Sequence, residues 1–337
     1  MHQQTETALK NRIFNITADD FESLAIAIFN FQHHNNDNYR AYCNALKINP
    51  ELIKELTDIP FLPIQFFKSR TITTSTFTPQ IIFESSGTSG AITSKHYIKD
   101  LSVYENSFFK AFEIFYGNIN EYCILGLLPS YLERNNASLV YMVDKLIQKS
   151  NNKKSGFFLA EFDKLHDTIK SNELQNQKTL LIGVSYALVD FTEQFPMQLK
   201  HTIVMETGGM KGRREEMTKE SLHQLLKEQL GVAGIHSEYG MTELLSQAYS
   251  YGNGIFNCPP WMKIMLRAED NPLETLDDRN NNIANNTGAV NIIDLANLNS
   301  CCFIATDDLG RCYKDGSFEI IGRLEDSDIR GCGLMII

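Results

Sequence analysis

The sequence lacks the features that mark secreted, membrane-spanning and nucleic-acid-binding chains. Its seven cysteines form no Cys-x-x-Cys pair, which argues against a disulfide framework or a zinc ribbon and favours a reducing compartment. No apolar run approaches the ~20 residues that span a bilayer, and the initial residues lack the pattern of a secretory signal peptide. The net charge is −10 without a long basic run, so a phosphate-backbone partner is not expected. These absences predict a cytoplasmic protein with no nucleic-acid partner and no membrane span.

The sequence does contain an ordinary globular composition on a long chain. Of its 337 residues, 43% are hydrophobic and 21% are charged, which excludes a disordered chain. The length exceeds the ~100–150 residues of a common single domain, so one large α/β domain or two domains are expected.

The order of the predicted elements indicates an α/β protein. Residues 1–80 are predicted to be mainly helical, with an extended apolar segment at Ile59–Lys68 whose two prolines exclude a helix interior. From residue 80, apolar β-rich runs alternate with helices, which is typical of a parallel sheet covered on both faces. The predicted strands are Gln80–Glu84, Tyr122–Leu128, Gly156–Ala160, Thr179–Val184 and Thr202–Glu206, and the predicted helices are Ser102–Phe115, Ala137–Ser150, Phe162–Ser171, Tyr186–Phe195 and Thr218–Leu230. Beyond residue 231, short strands joined by polar turns predict an antiparallel sheet or small barrel.

The first chemical motif is a hydroxyl-rich loop after the strand that ends at Glu84. Its glycines allow close backbone approach, its hydroxyl and N–H groups can surround a phosphate chain, and a following lysine adds positive charge. The loop consists of Ser85, Ser86, Gly87, Thr88, Ser89 and Gly90, and the lysine is Lys95. The spacing differs from that of a Walker A loop. The alternative interpretation is the tip of a Ser/Gly-rich hairpin.

The second motif is the run Ser237–Glu243, which contains Tyr-Gly-Met-Thr-Glu. Tyr239 can stack on a base and Gly240 lets the backbone approach a ligand. Thr242 and Glu243 can hold a phosphate and a magnesium ion. The alternative is a strand end that enters a turn with an exposed acid.

The third motif combines vicinal acids with an arginine further along. Asp307 and Asp308 are predicted at a strand end, where carboxylates can accept the two hydroxyl donors of a ribose. Arg323 follows in a Gly-Arg pair and can reach the ribose or a phosphate. The alternative for the acids is a solvated turn.

Taken in this order, the motifs resemble the adenylate-forming superfamily of acyl-CoA synthetases, luciferases and peptide-synthetase adenylation domains. Within it, the chain is most similar to the acyl-protein synthetases, the long-chain-fatty-acid–protein ligases of bacterial bioluminescence. The resemblance covers about residue 10 to the end; its segments are Ile59–Lys68, Ser85–Gly90, Leu128–Arg134, Thr207–Arg214, Tyr239–Glu243 and Asp328–Cys332.

The resemblance implies a role for each matching residue. The Ser85–Gly90 loop would hold the triphosphate, with Lys95 near the leaving pyrophosphate. Gly208 and Gly209 would line the adenine pocket, Tyr239 would stack on adenine, and Gly240 would belong to the same nucleotide site. Thr242 would contact the α-phosphate and Glu243 would ligate Mg²⁺, while Asp308, assisted by Arg323, would hold the ribose. The implied cofactors are ATP and Mg²⁺, and the implied substrate is a fatty acid.

The resemblance also implies a domain plan. Residues 1–321 would form the adenylation domain, with 231–321 as a β-rich subdomain, and residues 322–337 would form a C-terminal stub. Most relatives carry a small C-terminal domain after the Gly-Arg pair, and the sequence predicts that this domain is absent. The acyl-protein synthetases carry an acylated cysteine close to their C-terminus, a place that Cys332 matches; the alternative for Cys332 is a small buried residue in a final strand.

The motifs and the resemblance leave three functions open. The main prediction is activation of a fatty acid to an acyl-adenylate, followed by transfer of the acyl group to a protein cysteine. The alternatives are an acyl- or aryl-CoA ligase that resembles phenylacetate-CoA ligases, and a catalytically silent nucleotide-binding scaffold. A fatty-acid reductase or acyl-carrier protein is a possible partner, and the sequence leaves the oligomeric state open.

Overall fold

The structure is a computed structural model that describes residues 5–85, 92–128, 136–159, 161–208, 217–269, 271–276 and 287–324. Backbone contacts divide the chain into two units. Unit 1 comprises residues 1–78 and 260–337, and unit 2 comprises residues 79–259.

Helices and strands alternate through much of the described chain. The α-helices are α1 (Glu6–Ile13), α2 (Phe21–Asn35), α3 (Asp37–Ala45), α4 (Phe66–Ser69), α5 (Leu101–Tyr116), α6 (Ser138–Ser150), α7 (Phe162–Leu174), α8 (Ser185–Gln194) and α9 (Lys219–Leu230). The strands are β1 (Leu62–Pro63), β2 (Ile81–Glu84), β3 (Lys95–Ile98), β4 (Cys123–Leu127), β5 (Gly156–Phe157), β6 (Thr179–Val184), β7 (Thr202–Thr207), β8 (His236–Tyr239), β9 (Ala248–Ser250), β10 (Ile255–Asn257), β11 (Met262–Arg267), β12 (Thr275–Leu276), β13 (Thr287–Asp294), β14 (Phe303–Cys312) and β15 (Phe318–Arg323).

Unit 1 is built on strands in the order β12-β11-β13-β14-β15, with antiparallel neighbours. The short strand β1 lies parallel to β14. Gln32 of α2 is completely buried, and its amide donates to the carbonyls of Asn297 and Leu298 at 2.9 and 3.0 Å. The same amide accepts from the backbone N–H of Cys302 at 2.9 Å. A buried amide needs hydrogen-bond partners for its N–H group and for its oxygen, and these bonds supply both. They also hold α2 against the segment that leads into β14.

Unit 2 contains strands in the order β10-β9-β8-β7-β6-β4-β5. The pairs from β5 to β8 are parallel, and β8, β9 and β10 pair antiparallel. Every residue of β6 is buried, as expected for an apolar strand covered on both faces. Since β6, β7 and β8 run in one direction, their carboxyl ends lie at the same edge of the sheet. The strands β2 and β3 form a separate antiparallel hairpin.

The α/β fold with a largely parallel sheet is confirmed. The predicted strand Thr179–Val184 has the same bounds as β6, and the five helices predicted between residues 102 and 230 overlap α5 to α9. These elements carry strong apolar patterns, which local sequence reveals. Among the described residues, no helix combines the length and apolarity that crossing a bilayer requires.

Two predictions about secondary structure were wrong. The segment Ile59–Lys68 is not extended throughout, because α4 begins at Phe66, beyond the reach of its prolines. Asp307 and Asp308 do not lie at a strand end as predicted: β14 continues to Cys312, and Asp308 pairs with Arg323 of β15 within it. The sequence also did not predict β3 or β10, whereas β8 matches the alternative for the second motif, a strand end that enters a turn.

The strands beyond residue 231 are divided between the units. β8, β9 and β10 belong to unit 2, where β8 is parallel to β7, and the strands from β11 onward belong to unit 1. The sequence assigned all of 231–321 to one β-rich subdomain. The predicted adenylation domain over residues 1–321 and the stub over 322–337 stay predictions.

Candidate functional site

The hairpin β2-β3 holds both ends of the hydroxyl-rich loop. Glu84 pairs with Lys95 across the hairpin, and their charged atoms lie 3.8 Å apart. The Ser94 N–H donates to Ser85 Oγ at 2.9 Å, and the Ser85 N–H donates to the Ser94 carbonyl at 3.1 Å. The base of the loop is therefore a hairpin, an arrangement that both interpretations of the loop allow. The remaining loop positions, Ser86, Gly87, Thr88, Ser89 and Gly90, lie outside the described residues.

The second motif forms the turn that follows β8, at the carboxyl edge of the parallel strands. Tyr239 ends β8, and its ring packs on that of Phe256 with centroids 5.8 Å apart. A hydrogen bond of 3.1 Å from the Leu244 N–H to the Met241 carbonyl closes the turn. Glu243 is only 5% exposed within it. The alternative of an exposed acid at this turn is therefore wrong for Glu243.

Gly240 occupies a crowded position in this turn. A Cβ at that residue would overlap Oε1 of Glu238, so the carboxylate and the Gly240 backbone are in close contact. A side chain at this position would require the Glu238 carboxylate to move.

A buried histidine joins the turn to the hairpin. His96 of β3 is 1% exposed, and its Nδ1 lies 2.8 Å from the carbonyl oxygen of Thr242. Burial lowers the pKa of His96 to about 4, although the contact with the Thr242 carbonyl acts in the opposite direction. The sequence analysis missed His96, because a single histidine in a short strand carries no local signal.

The carboxyl end of β7 lies beside the same turn. β7 ends at Thr207, and Gly208 follows with φ of +67°, a conformation that glycine adopts without strain. Ser185 Oγ donates to the Gly208 carbonyl at 2.8 Å. Thr207 Oγ1 donates to Glu238 Oε2 at 2.6 Å, which connects β7 to β8 through side chains. Gly209 lies outside the described residues.

Glu238 carries an unusual carboxyl group. Burial raises its pKa to about 7; the bond from Thr207 opposes that rise and the nearby Glu206 adds to it. The group therefore titrates near neutral pH, beside the residue predicted to stack on a base.

A buried ionic cluster lies behind Tyr239. Oε1 of Glu206 is 3.4 Å from both Lys219 Nζ and His223 Nε2 of α9. Burial alone would raise the pKa of Glu206, but the His223 bond and the Lys219 charge outweigh it and lower that pKa. Lys219 Nζ also lies 4.4 Å from the ring centroid of Phe256, the ring on which Tyr239 packs. The cluster thus supports Tyr239 through Phe256. The sequence analysis did not find this cluster, because its members are separated along the chain.

The third motif lies in unit 1, inside paired strands. Arg323 Nε donates to Asp308 Oδ1 at 3.2 Å, and the two residues are register partners of β15 and β14. Asp308 is 7% exposed, whereas the Arg323 side chain is 75% exposed. The Asp308 N–H donates to Thr306 Oγ1 at 3.2 Å. The alternative of a solvated acidic turn is wrong, because Asp308 is buried within β14.

Unit 2 brings Tyr239, Gly240, Thr242 and Glu243 together in one turn, next to Gly208 and joined to the strand that carries Lys95. Unit 1 pairs Asp308 with Arg323. Cys332 lies outside the described residues. Across the described parts of the chain there is no cluster of three histidine, cysteine or acidic side chains that could hold a metal. Mg²⁺ commonly uses one or two protein carboxylates together with substrate phosphates, and the single Glu243 carboxylate fits that pattern.

Comparison with solved structures places the fold among adenylate-forming enzymes. The 2-hydroxyisobutyryl-CoA ligase in complex with 2-HIB-AMP aligns with a TM-score of 0.63 and 12% identity, over 94% of this chain and 70% of that one. ATP-bound MatB from Rhodopseudomonas palustris aligns with a TM-score of 0.53 and 15% identity, over 74% of this chain. This chain spans about half of MatB, 49% of its length.

The chain belongs to the LuxE acyl-protein synthetase family, whose sequence model matches residues 8–337. A curated relative is the long-chain-fatty-acid–luciferin-component ligase of Vibrio harveyi, which is 24% identical over 341 residues. That alignment covers 91% of this chain and 84% of the relative. The family resemblance drawn from the motifs is confirmed, and the chain is a ligase of this family.

Proposed function

We propose that this protein uses ATP and Mg²⁺ to convert a fatty acid to its acyl-adenylate and passes the acyl group to a protein cysteine. The observation that carries the proposal is the family match over residues 8–337, which includes each of the three motifs. The placement of Thr242 and Glu243 at the carboxyl edge of the parallel strands supports it, because ligands of α/β sheets bind at that edge.

The roles proposed for unit 2 follow from the positions of its side chains. Tyr239, supported by Phe256, stacks on the adenine beside Gly208 and Gly209. Thr242 contacts the α-phosphate, and the Ser85–Gly90 loop with Lys95 binds the departing phosphates. Glu243 would hold the magnesium ion, which when bound neutralises phosphate charge as two anions approach each other.

The role proposed for Asp308 is to accept hydrogen bonds from the ribose hydroxyls. Its carboxylate is held by Arg323 from the neighbouring strand, which fixes its orientation before a ligand arrives. Arg323 is largely exposed, so its guanidinium can also contact the nucleotide.

The proposed reaction has two steps. A carboxylate oxygen of the acid attacks the α-phosphorus of ATP; the bond from that phosphorus to the bridging oxygen breaks, and pyrophosphate leaves. A thiolate sulfur then attacks the acyl carbonyl carbon, and the bond to the phosphate oxygen breaks to release AMP. The protein's part in the first step is to position two anions and to offset their charge.

Cys332 is the proposed acceptor of the acyl group. The support is the family match over residues 8–337, which includes Cys332, the residue that the resemblance identifies with the acylated cysteine of the family. Of the cysteines that the structure describes, Cys258 is half-buried and the others are buried, which leaves few alternatives for attack on an acyl-adenylate. A fatty-acid reductase or an acyl-carrier protein is the proposed next acceptor.

The test combines pyrophosphate release with the mass of the intact protein. The protein is incubated with ATP, magnesium and a panel of fatty and aromatic acids, with and without coenzyme A. The wild type is expected to release pyrophosphate with a fatty acid and to gain the mass of one acyl group. Cys332→Ala is expected to keep acid-dependent pyrophosphate exchange but to gain no mass, whereas the matched variant Cys258→Ala is expected to behave as the wild type.

Three results would contradict parts of this proposal. AMP release that requires coenzyme A would favour an acyl-CoA ligase. Acylation of Cys332→Ala at another residue would overturn the choice of acceptor. Absence of pyrophosphate exchange with every acid would favour a silent scaffold.

Glu243→Gln is expected to need a much higher magnesium concentration for half-maximal exchange.

A further inference from the structure

A contact between two elements of unit 2 bears on the first step of the reaction. His96 lies on β3, which follows the hydroxyl-rich loop, and Thr242 lies on the turn after β8. His96 Nδ1 is 2.8 Å from the Thr242 carbonyl oxygen. A carbonyl oxygen only accepts, so Nδ1 carries the proton in this contact.

The accepting carbonyl belongs to the peptide group that joins Thr242 to Glu243. This peptide is planar, so its orientation sets the direction of both adjoining residues. The His96 ring is 1% exposed, which leaves it little room to turn. His96 is therefore a buried hydrogen-bond donor that packing holds in place. It fixes the peptide between Thr242 and Glu243, the residues proposed to contact phosphate and magnesium.

We propose that His96 is a positioning residue for adenylation: it fixes the Thr242–Glu243 peptide and couples that turn to the strand that carries Lys95. This inference rests on the proposed function, because it assigns His96 a part in that reaction. His96 itself contacts the turn and is not assigned a contact with ATP.

The inference explains why a polar ring is buried at this point of the hairpin. An apolar residue would fill the same space without the need for a partner, and a buried polar group costs free energy unless it is bonded. The bond to Thr242 satisfies one ring nitrogen and a backbone carbonyl together. The same bond makes the position of the turn depend on β3.

The test compares side chains that keep or lose the donor at the place of Nδ1. The amide of His96→Asn reaches that place, the amide of His96→Gln reaches further out, and His96→Leu has no donor. His236→Leu is the control: His236 is half-buried on β8, and its Nδ1 is bonded to the Tyr116 hydroxyl at 3.2 Å, away from the turn.

Acid-dependent pyrophosphate exchange is measured for each variant, with kcat and KM for ATP determined separately, beside the thermal midpoint. We expect His96→Leu and His96→Gln to lose roughly tenfold to hundredfold in kcat, the scale of a misplaced reacting group, with a smaller change in KM. His96→Asn is expected to remain within about threefold of the wild type, because it restores the donor. His236→Leu is expected to keep kcat although its thermal midpoint falls.

A double-variant comparison asks whether His96 acts through the turn. In a Thr242→Ala background, His96→Leu should cost less than in the wild type, because one of the two groups that His96 positions, the Thr242 hydroxyl, is already gone. Equal costs in both backgrounds would overturn the inference. So would wild-type kcat in His96→Leu, or kcat losses in His96→Asn that equal those in His96→Gln.

The outcomes separate this inference from the proposed function. If the wild type shows exchange and the His96 variants show the same kcat, the role of His96 is overturned and the proposed function stands. No exchange in the wild type overturns the proposed function, and the role of His96 with it. If His96→Leu does not fold, the contrast between His96→Asn and His96→Gln decides the matter.

Discussion

The carboxyl group of Glu238 is expected to make the stability of the protein fall as pH rises toward neutrality. Glu238 lies on β8, and Thr207 Oγ1 donates to its Oε2 at 2.6 Å. Burial raises the pKa of this group from its ordinary value of 4.5 to about 7. Glu238→Gln keeps the shape of the side chain and an oxygen that accepts from Thr207, but it cannot ionise.

The sign and size of the effect follow from proton linkage. Below about pH 4.5 the group is protonated in the folded and the unfolded protein, and it adds no pH dependence. From pH 4.5 to about 7 the unfolded chain releases the proton first, so folding becomes less favourable as pH rises. At ~1.4 kcal/mol for each pKa unit, the loss reaches ~3 kcal/mol near pH 7 and stays constant above it.

The assay is urea unfolding of the wild type and of Glu238→Gln at a series of pH values from 4.5 to 8. The free energy of unfolding of the variant, minus that of the wild type, is expected to grow by ~3 kcal/mol across the lower part of this range and then to level off. Thr207→Val removes the bond that opposes the raised pKa and should move the plateau to higher pH. A difference that stays flat from pH 4.5 to 8 would refute the reasoning.

Three further predictions concern packing, buried charge and thiol reactivity. Gly240→Ala should lower the free energy of unfolding by ~1–3 kcal/mol because its Cβ meets Glu238, whereas Gly156→Ala, with no atom within 4 Å of the new Cβ, should have little effect in the same urea titration. Arg267→Met should cost ~3 kcal/mol because it removes the three hydrogen bonds that the guanidinium donates to Val290, Asn291 and Thr306. The half-exposed Arg311, replaced in the same way, should cost at most ~1 kcal/mol in the same assay. The buried thiol of Cys43, whose pKa burial raises to about 12, should resist alkylation in the native protein and react after unfolding, as peptide mass mapping would show; rapid native labelling would contradict its burial.

The sequence was informative where one segment decides its own structure. β6 is a continuous apolar run, and α5 repeats its aromatic residues at helical spacing, so both elements are visible without tertiary contacts. The turn after β8 was also identified, because its residue types together suit phosphate and metal chemistry. The order of motifs then identified the family, which the match over residues 8–337 confirms.

The sequence was less informative where distant segments decide the structure. β14 continues past Asp308 because β13 and β15 pair with it on both sides, and pairing of this kind has no signal within Asp307–Arg311. His96 and Thr242 are 146 positions apart, so neither residue predicts the bond between them. The Glu206 cluster draws on β7 and α9 for the same reason. Side chains that support the candidate site are found through the fold, whereas the candidates for ligand contact are found through residue type and order.

Several buried or partly buried ionisable side chains of unit 2 lie near the carboxyl ends of its parallel strands, and this placement bears on function. The middle of β6 is apolar and fully buried, which is the arrangement that favours stability. Near the carboxyl ends of β7 and β8, the fold instead places the buried Glu206 and the partly buried Glu238, with His96 bonded to the turn that follows. Buried ionisable groups seldom stabilise a fold more than apolar residues of the same volume, so their concentration at one edge needs another reason. Groups of this kind gather where a site must hold charge in fixed positions. The family motifs and these ionisable side chains therefore lie at the same edge of the sheet, where polar groups replace apolar packing.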